Sequence, residues 1–353
     1  MEPVEEIVIV GAGIAGLATA LGLHRKGVKS LVLESSPTLR STGFALGIWT
    51  NAWRALDALE IGNKAREHHL LVERVTVLSP SSGATLGEIR LEEIEGKKST
   101  VGQLERCFWV LIGGDGINSV VAKYLGLKKP SFSGRLAIRG LAEYPTNHGF
   151  KPYFIQINGQ GFRAGMIPCT ERVMYWFFAW HPSVNGSEKA DESTTAMREF
   201  IVKTLSNSKV PKEIIEVIQR SEFEEVRSSP LRYRSPFSLL FGDITKRNIC
   251  VIGDAFHPMT PDLGQGGCLA LEDTVILARC LSEAVYQNKI EEGLEEFAKI
   301  RRWRCAKVVT IAYVVGLLQQ SGNWFVRILR EMLLGWFMAK ALLKIPDYDC
   351  GNL

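Results

Sequence analysis

Apolar and polar positions near the start of the chain follow two different periods. Residues Ile7 to Val10 form a short β-branched run, Ile14 to Lys26 place apolar residues at helical spacing, and Ser30 to Leu33 form a second short run. A strand, a helix and a second strand in this order are typical of a parallel βαβ unit. The pattern therefore predicts an α/β fold.

The pattern changes further along the chain. The segments LLVERVTVLS and ATLGEIRL flank the turn PSSG and predict a β-hairpin. Between residues 134 and 180, alternating runs with an Asn-Gly turn at 158–159 predict a separate antiparallel sheet. Two helices are predicted around 191–219. The run RNICVIGDA at 247–255 predicts a return to a buried parallel strand, with helices from there to the end.

Composition and charge limit the class of protein. The 353 residues are 46% hydrophobic and 23% charged, which is ordinary for a globular protein with a sizeable core. A net charge of +4, without a basic block interleaved with aromatic residues, argues against nucleic-acid binding. The cysteines form no C-x-x-C pair and no leader pattern precedes the first strand, so we expect reduced thiols and a cytoplasmic location.

The C-terminal part of the chain is apolar but interrupted. Residues 308–326 carry no charge, yet their Gln-Gln-Ser-Gly-Asn centre is polar and the apolar part is too short to span a bilayer. In the segment after it, Arg327, Arg330 and Lys340 lie among apolar residues, which predicts an amphipathic helix. We favour a buried helix here, and the alternative is a weak contact with a membrane surface.

A glycine-rich turn, Gly11-Ala-Gly13-Ile-Ala15-Gly16, lies between the first strand and the first helix. In such a turn the first glycine allows a tight bend, the second lets a pyrophosphate approach the backbone, and the third lets helix and strand pack closely. Glu34 ends the second strand, where a carboxylate can accept hydrogen bonds from both ribose hydroxyls and disfavours a 2′-phosphate. These features indicate a dinucleotide site and leave FAD and NAD open.

Two later strands also end in a turn that contains Gly and Asp. The first turn reads GDGINS from residue 114, and the second reads GDAFHP from residue 253. Each alone is more often an ordinary β-to-α turn in which Asp caps a helix. A nicotinamide dehydrogenase would need only the first glycine-rich turn and a catalytic acid or base, so the order of all three turns decides the interpretation.

That order, GxGxxG, then DGxxS, then GDAxHPxxPxxGQGG, resembles the FAD-dependent aromatic hydroxylases of the para-hydroxybenzoate hydroxylase type. Within this family the chain is most similar to plant FAD-dependent monooxygenases that resemble urate and salicylate hydroxylases. The resemblance covers nearly the whole chain, and the third motif is its most specific part.

The resemblance implies roles for particular residues. The glycines of the first motif would hold the FAD pyrophosphate, Glu34 would bind its adenosine ribose, and Asp254 would bind its ribityl chain. Gly266, Gly267 and Cys268 would point N–H groups at the pyrimidine edge of the flavin, where the helix dipole stabilises negative charge.

The middle motif contains Asp115 and Gly116, which in the family serve both FAD and NAD(P)H. The family ends this motif with Arg, whereas this chain has Ala122 followed by Lys123. This departure counts against assigning pyridine nucleotide binding to the motif. The sequence does not choose between NADH and NADPH.

Three residues are candidates for the substrate site. Arg139 lies in the predicted strand end AIRG and could meet an acidic substrate, although an ordinary solvated arginine is the alternative. His257 orients substrate or flavin, or else anchors its loop. Pro261 belongs to the same motif. We assign no catalytic residue and no metal site.

The resemblance also implies the architecture and the reaction. A doubly wound, Rossmann-like FAD-binding α/β domain would comprise residues 1–133 and 234–285, with an antiparallel β-sheet substrate domain inserted at 134–233 and a C-terminal helical region at 286–353. The implied reaction is reduction of FAD by NAD(P)H, capture of O₂ as a flavin C4a-hydroperoxide, and hydroxylation of a small aromatic or related substrate.

The interval between residues 90 and 107 is shorter than the resemblance implies. The family has here a helix that begins R-x-x-L, a further parallel strand and a β-meander. By the length of a βαβ unit and a hairpin, about 40 residues are absent. This favours a second hypothesis, a shortened chain that binds FAD poorly and is catalytically silent. The alternative is a looser local path through residues 81–106 that replaces the absent unit.

Overall fold

The computed structural model describes residues 7–38, 46–67, 69–90, 110–159, 161–182, 194–222, 228–320 and 344–353. Its strands are β1 (Ile7–Val10), β2 (Leu31–Leu33), β3 (Arg74–Leu78), β4 (Thr85–Arg90), β5 (Val110–Gly113), β6 (Ser131–Glu143), β7 (Tyr153–Asn158), β8 (Phe162–Pro168), β9 (Val173–Trp180), β10 (Ser229–Tyr233), β11 (Thr245–Lys246) and β12 (Ile249–Val251).

Its α-helices are α1 (Ile14–Arg25), α2 (Thr50–Ala58), α3 (Gly62–Arg66), α4 (Val120–Tyr124), α5 (Thr194–Ser206), α6 (Lys212–Arg220), α7 (Pro236–Phe241), α8 (Gly266–Gln287) and α9 (Ile290–Gln320). Two short 3₁₀ turns, Gly253–Ala255 and Pro261–Leu263, lie between β12 and α8.

The first sheet has the order β11-β12-β5-β1-β2, and every pair is parallel except β11 with β12. Ile7, Ile9 and Ile112 pack on one face with α1, α2 and α8. On the other face, Val251 packs with α4, α7 and α9. Helices on both faces of a mainly parallel sheet define a doubly wound α/β fold, so the predicted fold class is confirmed.

The second sheet has the order β10-β6-β9-β8-β7-β3-β4 and is antiparallel except where β3 pairs with β7. Trp176, Phe178 and Trp180 alternate along β9 and are buried in one core with α5 and α6. The Asn-Gly turn joins β7 to β8, as predicted. The sheet therefore has its own apolar core.

The predicted hairpin β3–β4 belongs to the second sheet, although it lies within the range 1–133 predicted for the FAD-binding domain. Thr76 of β3 lies opposite Ile155 of β7 in the parallel pair. A two-stranded hairpin is marginally stable by itself in water. Pairing with β7 supplies the missing hydrogen-bond partners, and this explains why the hairpin joins the second sheet.

Strand β2 lies at one edge of the first sheet. Its side chains Leu31 and Leu33 lie opposite Val8 and Val10, so all four share one face. Leu31 is 39% exposed and Leu33 is 48% exposed, whereas parallel strands are normally covered on both faces. Within the described residues, no strand pairs with the outer side of β2. The predicted short interval between residues 90 and 107 lies almost entirely outside them.

The C-terminal region begins with one long helix. Helix α9 is 31 residues long and includes the start of the uncharged run at 308–326. The predicted amphipathic segment around Arg327 to Lys340 lies outside the described residues. Among the helices that the structure describes, none combines the length and apolar character needed to cross a bilayer.

Candidate functional site

The glycine-rich turn after β1 has a distinct steric requirement at each glycine. Gly11 has φ +101°, which other residues rarely adopt. A Cβ atom on Gly16 would lie 1.9 Å from the Gly11 carbonyl oxygen, so only glycine lets α1 pack this close to β1. A Cβ atom on Gly13 would meet nothing within 4 Å. Gly13 therefore faces open space at the start of α1.

Glu34 directly follows β2, and its side chain contacts this turn. Its carboxylate accepts hydrogen bonds from the backbone N–H of Ala12 at 2.7 Å and of Ser36 at 2.8 Å. These bonds, from Ser36 first and then Ala12, lower the pKa of the Glu34 carboxyl. The exposed side chain is therefore ionised at neutral pH and lies beside the glycines, where a ribose would be bound.

The second Gly/Asp turn touches the first. A Cβ atom on Gly11 would lie 2.6 Å from the carbonyl oxygen of Gly114 and 3.0 Å from Cα of Asp115. The Asp115 side chain accepts hydrogen bonds from Ser119 Oγ at 2.6 Å and from the backbone N–H of Val120 at 2.7 Å. The Asp115 carboxylate thus caps α4, which is the ordinary turn role that the sequence left open, while its backbone lies against Gly11.

Gly116 follows with φ +76°, and a Cβ atom there would meet nothing within 4 Å. Like Gly13, Gly116 borders open space.

The third turn joins the other two through α1. Gly253 has φ +55°, and a Cβ atom on it would lie 2.9 Å from Cβ of Ala15. The Asp254 side chain is exposed to solvent, although neighbouring protein atoms desolvate part of its carboxyl. This desolvation raises the pKa of its carboxyl, and His257 acts in the opposite direction. The three turns thus meet at the carboxyl edge of the first sheet, where ligands of doubly wound folds bind.

The N-terminus of α8 lies next to these turns. Gln265 precedes the helix without a side-chain hydrogen bond to it, so the first N–H groups of α8 have no side-chain cap. Cys268 is buried with its thiol directed at the carbonyl oxygen of Gly47, and burial raises its pKa to about 12. The Cys268 thiol is therefore neutral at physiological pH. The groups that remain to bind an anion are the backbone N–H groups of Gly266, Gly267 and Cys268.

His257 is fully buried behind the third turn. Its Nε2 lies 2.7 Å from Asp273 Oδ2, which also accepts a hydrogen bond from the Gly253 N–H at 2.9 Å. Arg301 of α9 donates to the other oxygen of Asp273 at 2.7 Å. These contacts favour the loop-anchor role for His257, since its side chain holds the Gly253 turn and does not reach a cleft.

The buried network continues through α8 and α9. Arg301 and Arg304 both donate to Glu272, at 2.6 and 2.8 Å, and Asn51 donates to the same carboxylate at 2.6 Å. Burial alone would raise the pKa of Glu272, but the charge of Arg301 and the hydrogen bond of Arg304 outweigh it and the pKa is lowered. The network fixes α8 against α9 and so fixes the α8 N-terminus beside the three turns.

The His257–Asp273 pair gives a testable pH dependence. Burial lowers the pKa of His257, but Cys305 and Asp273 outweigh it and the pKa lies well above its ordinary value. A raised pKa contributes stability that is complete below the unfolded value of about 6.5 and is lost as pH rises through the folded pKa. We therefore expect His257→Gln to be less stable than wild type at neutral pH and to approach it at alkaline pH.

Urea unfolding from about pH 6 to about pH 9 measures this difference. His24→Gln changes an exposed histidine on α1 and serves as the control, for which we expect a constant offset across the range. A constant offset for His257→Gln as well would contradict the coupling to Asp273.

Sequence reasoning missed a buried cluster at the junction of the two sheets. Asp262 accepts hydrogen bonds from Arg135 at 2.7 and 2.9 Å and from Arg163 at 2.8 Å, and all three side chains are at most 4% exposed. Arg163 also donates to Gln156 at 2.9 Å. Burial would raise the pKa of Asp262, but the bond from Arg135 and the charge of Arg163 lower it. The three residues come from segments that are far apart in sequence, and no sequence motif predicts that they form ion pairs.

The two remaining candidates lie outside the three turns in sequence, one shortly before α8 and one on β6. Pro261 is exposed and directly precedes Asp262. Arg139 lies on β6 opposite Phe177, and its charge acts to lower the pKa of Tyr175, although burial of that phenol gives a net raised value. Arg139 lies four residues beyond Arg135, or about 13 Å along the strand. The structure therefore groups it with the second sheet.

Comparison with known proteins places this site in a family. A model of the FAD binding domain matches residues 87–312, and a model of FAD dependent oxidoreductases matches residues 6–107. The chain is 40% identical to Monooxygenase 2 of Arabidopsis thaliana over 403 residues, covering 99% of this chain and 98% of that protein. The chain belongs to the family of FAD-dependent monooxygenases.

Further relatives agree with this assignment. Monooxygenase 1 of Arabidopsis thaliana is 32% identical and covers 98% of this chain and 99% of that protein. HpxO of Klebsiella pneumoniae, solved with FAD and uric acid, superposes with a TM-score of 0.81 at 18% identity over 98% of this chain and 97% of the other. The resemblance inferred from the three motifs is therefore confirmed, and FAD is the cofactor of this family.

The residues present fit FAD. Gly13 and Gly116 leave room beside the backbone, and neither α1 nor α8 has a side-chain cap at its N-terminus. Uncapped helix N-termini bind phosphate and other anionic groups through free N–H donors. The site thus offers two anion-binding helix ends and an accessible carboxylate, Asp254, around the same turns.

Proposed function

We propose that this chain hydroxylates a small aromatic or related substrate with O₂, and that NAD(P)H supplies the electrons. The observation that supports this is the meeting of the turns at Gly11, Gly114 and Gly253 around the uncapped N-termini of α1 and α8. Bound FAD would supply the redox chemistry and the activation of O₂.

The protein's own groups bind and orient the cofactor in this proposal. The N–H groups around Gly13 face the pyrophosphate and Glu34 accepts from the adenosine ribose hydroxyls. Asp254 binds the ribityl chain, and the backbone of Gly266 and Gly267 faces the pyrimidine edge. The helix dipole of α8 then favours negative charge on that edge. His257, Asp273 and Arg301 act indirectly by holding Gly253 in place.

The Arg135–Asp262–Arg163 cluster supports an anionic substrate. Two guanidinium groups and one carboxylate leave a net positive charge beside the loop that leads into α8. Such a charge favours an anion at the junction of the two sheets. Relatives include an FAD-dependent urate hydroxylase and a 3-hydroxybenzoate 6-hydroxylase, at 21% and 24% identity. We therefore propose a planar aromatic anion as the substrate class.

The proposal is tested with the purified chain and added FAD. A flavin absorbance band that remains after gel filtration, NADH or NADPH oxidation that a substrate stimulates, and incorporation of ¹⁸O from O₂ into product would support it. Bound flavin with NAD(P)H oxidation that no aromatic acid stimulates would count against hydroxylation.

The role of Glu34 gives a sharper test. We expect Glu34→Gln to weaken FAD binding about tenfold, because the neutral amide is a poorer acceptor for the ribose hydroxyls. FMN lacks the adenosine half, so its affinity should not change. Fluorescence titration with both flavins measures this, and Glu213→Gln, an exposed change on α6, is the control. An equal loss for FAD and FMN would contradict the ribose contact.

A second candidate is a shortened form that binds FAD poorly and is catalytically silent. The match to Monooxygenase 2 extends over 403 positions, 50 more than the 353 residues of this chain. The exposed leucines of β2 lie on a sheet edge that has no outer strand among the described residues. A colourless protein that does not retain FAD at micromolar concentration would favour this form, and a yellow active protein would exclude it.

A further inference from the structure

The most exposed large apolar side chains of the described residues are not scattered. Phe237, Phe241, Trp303, Tyr124 and Val120 are between 67% and 79% exposed, and the other large apolar side chains are at most 50% exposed. These five lie on α4, α7 and α9. Four of the five are aromatic rings that are between 72% and 79% exposed, on helices far apart in sequence.

The three helices form one surface. Arg302 of α9 donates to the backbone carbonyls of Leu239 and Gly242 at the end of α7. A Cβ atom on Gly242 would lie 2.7 Å from Leu127, in the segment that follows α4. Buried residues of all three helices belong to one core cluster. We call this surface, formed by the outer sides of α4, α7 and α9, the aromatic face.

The aromatic face is also basic. Segments 116–142 and 297–320 contain no Asp or Glu, and neither does 228–242. Exposed cations on these segments and their flanks are Lys123, Lys128, Lys129, Arg232, Lys246, Arg247, Lys299 and Lys307. Acidic residues lie at the border of this face. Asp243 follows α7, Glu296 lies 3.5 Å from Lys299, and Glu291, Glu292 and Glu295 line a pocket with Asn248, which follows Arg247. On the helices themselves, Lys123, Lys299 and Lys307 lie within four residues of an exposed ring, so the surface next to the rings carries more positive than negative charge.

We propose that the aromatic face docks on an anionic lipid membrane surface. The rings of Trp303 and Tyr124 have a polar edge that is favoured at the level of the lipid head groups, and the Phe237 and Phe241 rings gain from apolar burial below it. Lysines around the rings gain from anionic lipid while their alkyl stems cover apolar surface. A nucleic acid would need the cations to follow a groove with stacking platforms, whereas these rings stand on convex helix surfaces. The positive charge also opposes association of two copies through the same face.

This surface is separate from the C-terminal segment for which the sequence left a membrane contact open. It consists of described residues of the folded core, and the docking requires no substrate and no flavin. Docking would hold the enzyme at a lipid surface as a peripheral protein, which goes beyond the hydroxylation proposed above.

Vesicle flotation with the full chain tests the proposal. We expect binding to vesicles in which about a third of the lipid is phosphatidylserine, weak binding to phosphatidylcholine alone, and loss of binding at high salt. F237S/F241S/W303S should reduce the partition coefficient at least about tenfold, because the apolar contact is lost. K128E/K129E should reduce it about as much.

Matched controls separate docking from general effects. K203E/K212E makes the same charge change on exposed lysines of α5 and α6, and should leave binding nearly unchanged. Leu71→Ser removes an exposed apolar side chain elsewhere and should also have little effect. Equal losses for test and control variants, or equal binding to both vesicle types, would overturn the proposal. So would a dimer in light scattering that F237S/F241S/W303S converts to monomer without any vesicle binding.

Discussion

Replacing Gly13 with valine is expected to weaken FAD binding at least 100-fold while the chain still folds, by analogy with the role of the middle glycine in dinucleotide turns. The backbone of Gly13 has φ −73° and ψ −178°, which valine adopts without strain. A Cβ atom there would meet no protein atom within 4 Å, so the side chain would extend into the space proposed for the pyrophosphate. Flavin titration and the thermal unfolding of the flavin-free protein measure the two effects.

Gly16→Ala is the matched control for this prediction. Its Cβ atom would clash with the Gly11 carbonyl oxygen at 1.9 Å, so we expect a loss of stability as well as of flavin binding. If Gly13→Val retained wild-type FAD affinity, the pyrophosphate could not lie at this turn.

Replacing Asp262 with asparagine is expected to destabilise the fold by about 3–5 kcal/mol, because Arg135 and Arg163 would remain buried without a counter-charge. The lowered pKa of Asp262 adds a pH dependence. Its stabilising contribution is complete above the unfolded pKa of about 3.9 and is lost as pH falls through the folded value. Urea unfolding at neutral and acidic pH should therefore show the variant approaching wild type in acid.

Asp57→Asn provides the comparison. Asp57 forms the same two-bond contact with Arg66, at 2.6 and 2.9 Å, but both side chains are partly exposed. A pair that water screens contributes about 0–1 kcal/mol, so the loss should be small. Similar losses at both positions would show that burial does not determine the role of Asp262.

The sequence was sufficient to predict those parts of the fold that depend on the hydrophobic pattern of adjacent residues. The βαβ unit, the Asn-Gly hairpin and the strand before Gly253 each depend on a few adjacent residues, and each is present. The family motifs brought the three turns together only by resemblance, since nothing in the spacing of Gly11, Gly114 and Gly253 states that they touch. Whether the predicted residues bind FAD remains a prediction.

Long-range electrostatic pairing could not be predicted. Asp262 pairs with Arg135 and Arg163, which lie 127 and 99 residues away in sequence. The chain contains many other arginines, and nothing in the sequence indicates which of them pair with Asp262. The membership of β3 and β4 in the second sheet has the same cause, because a hairpin's outer partner is selected by the tertiary fold. The aromatic face likewise depends on three separate helices becoming neighbours.

The pairing of β5 with β12 has a consequence for biosynthesis. Leu111 of β5 pairs with Ile249 of β12. Because β12 follows every strand of the second sheet in the chain, it can join the first sheet only after the whole second sheet has left the ribosome. Until then β5 exposes a backbone edge, and such high contact order slows folding and invites aggregation. We therefore expect slower translation or chaperone co-expression to increase the yield of folded protein more than a change of buffer after lysis.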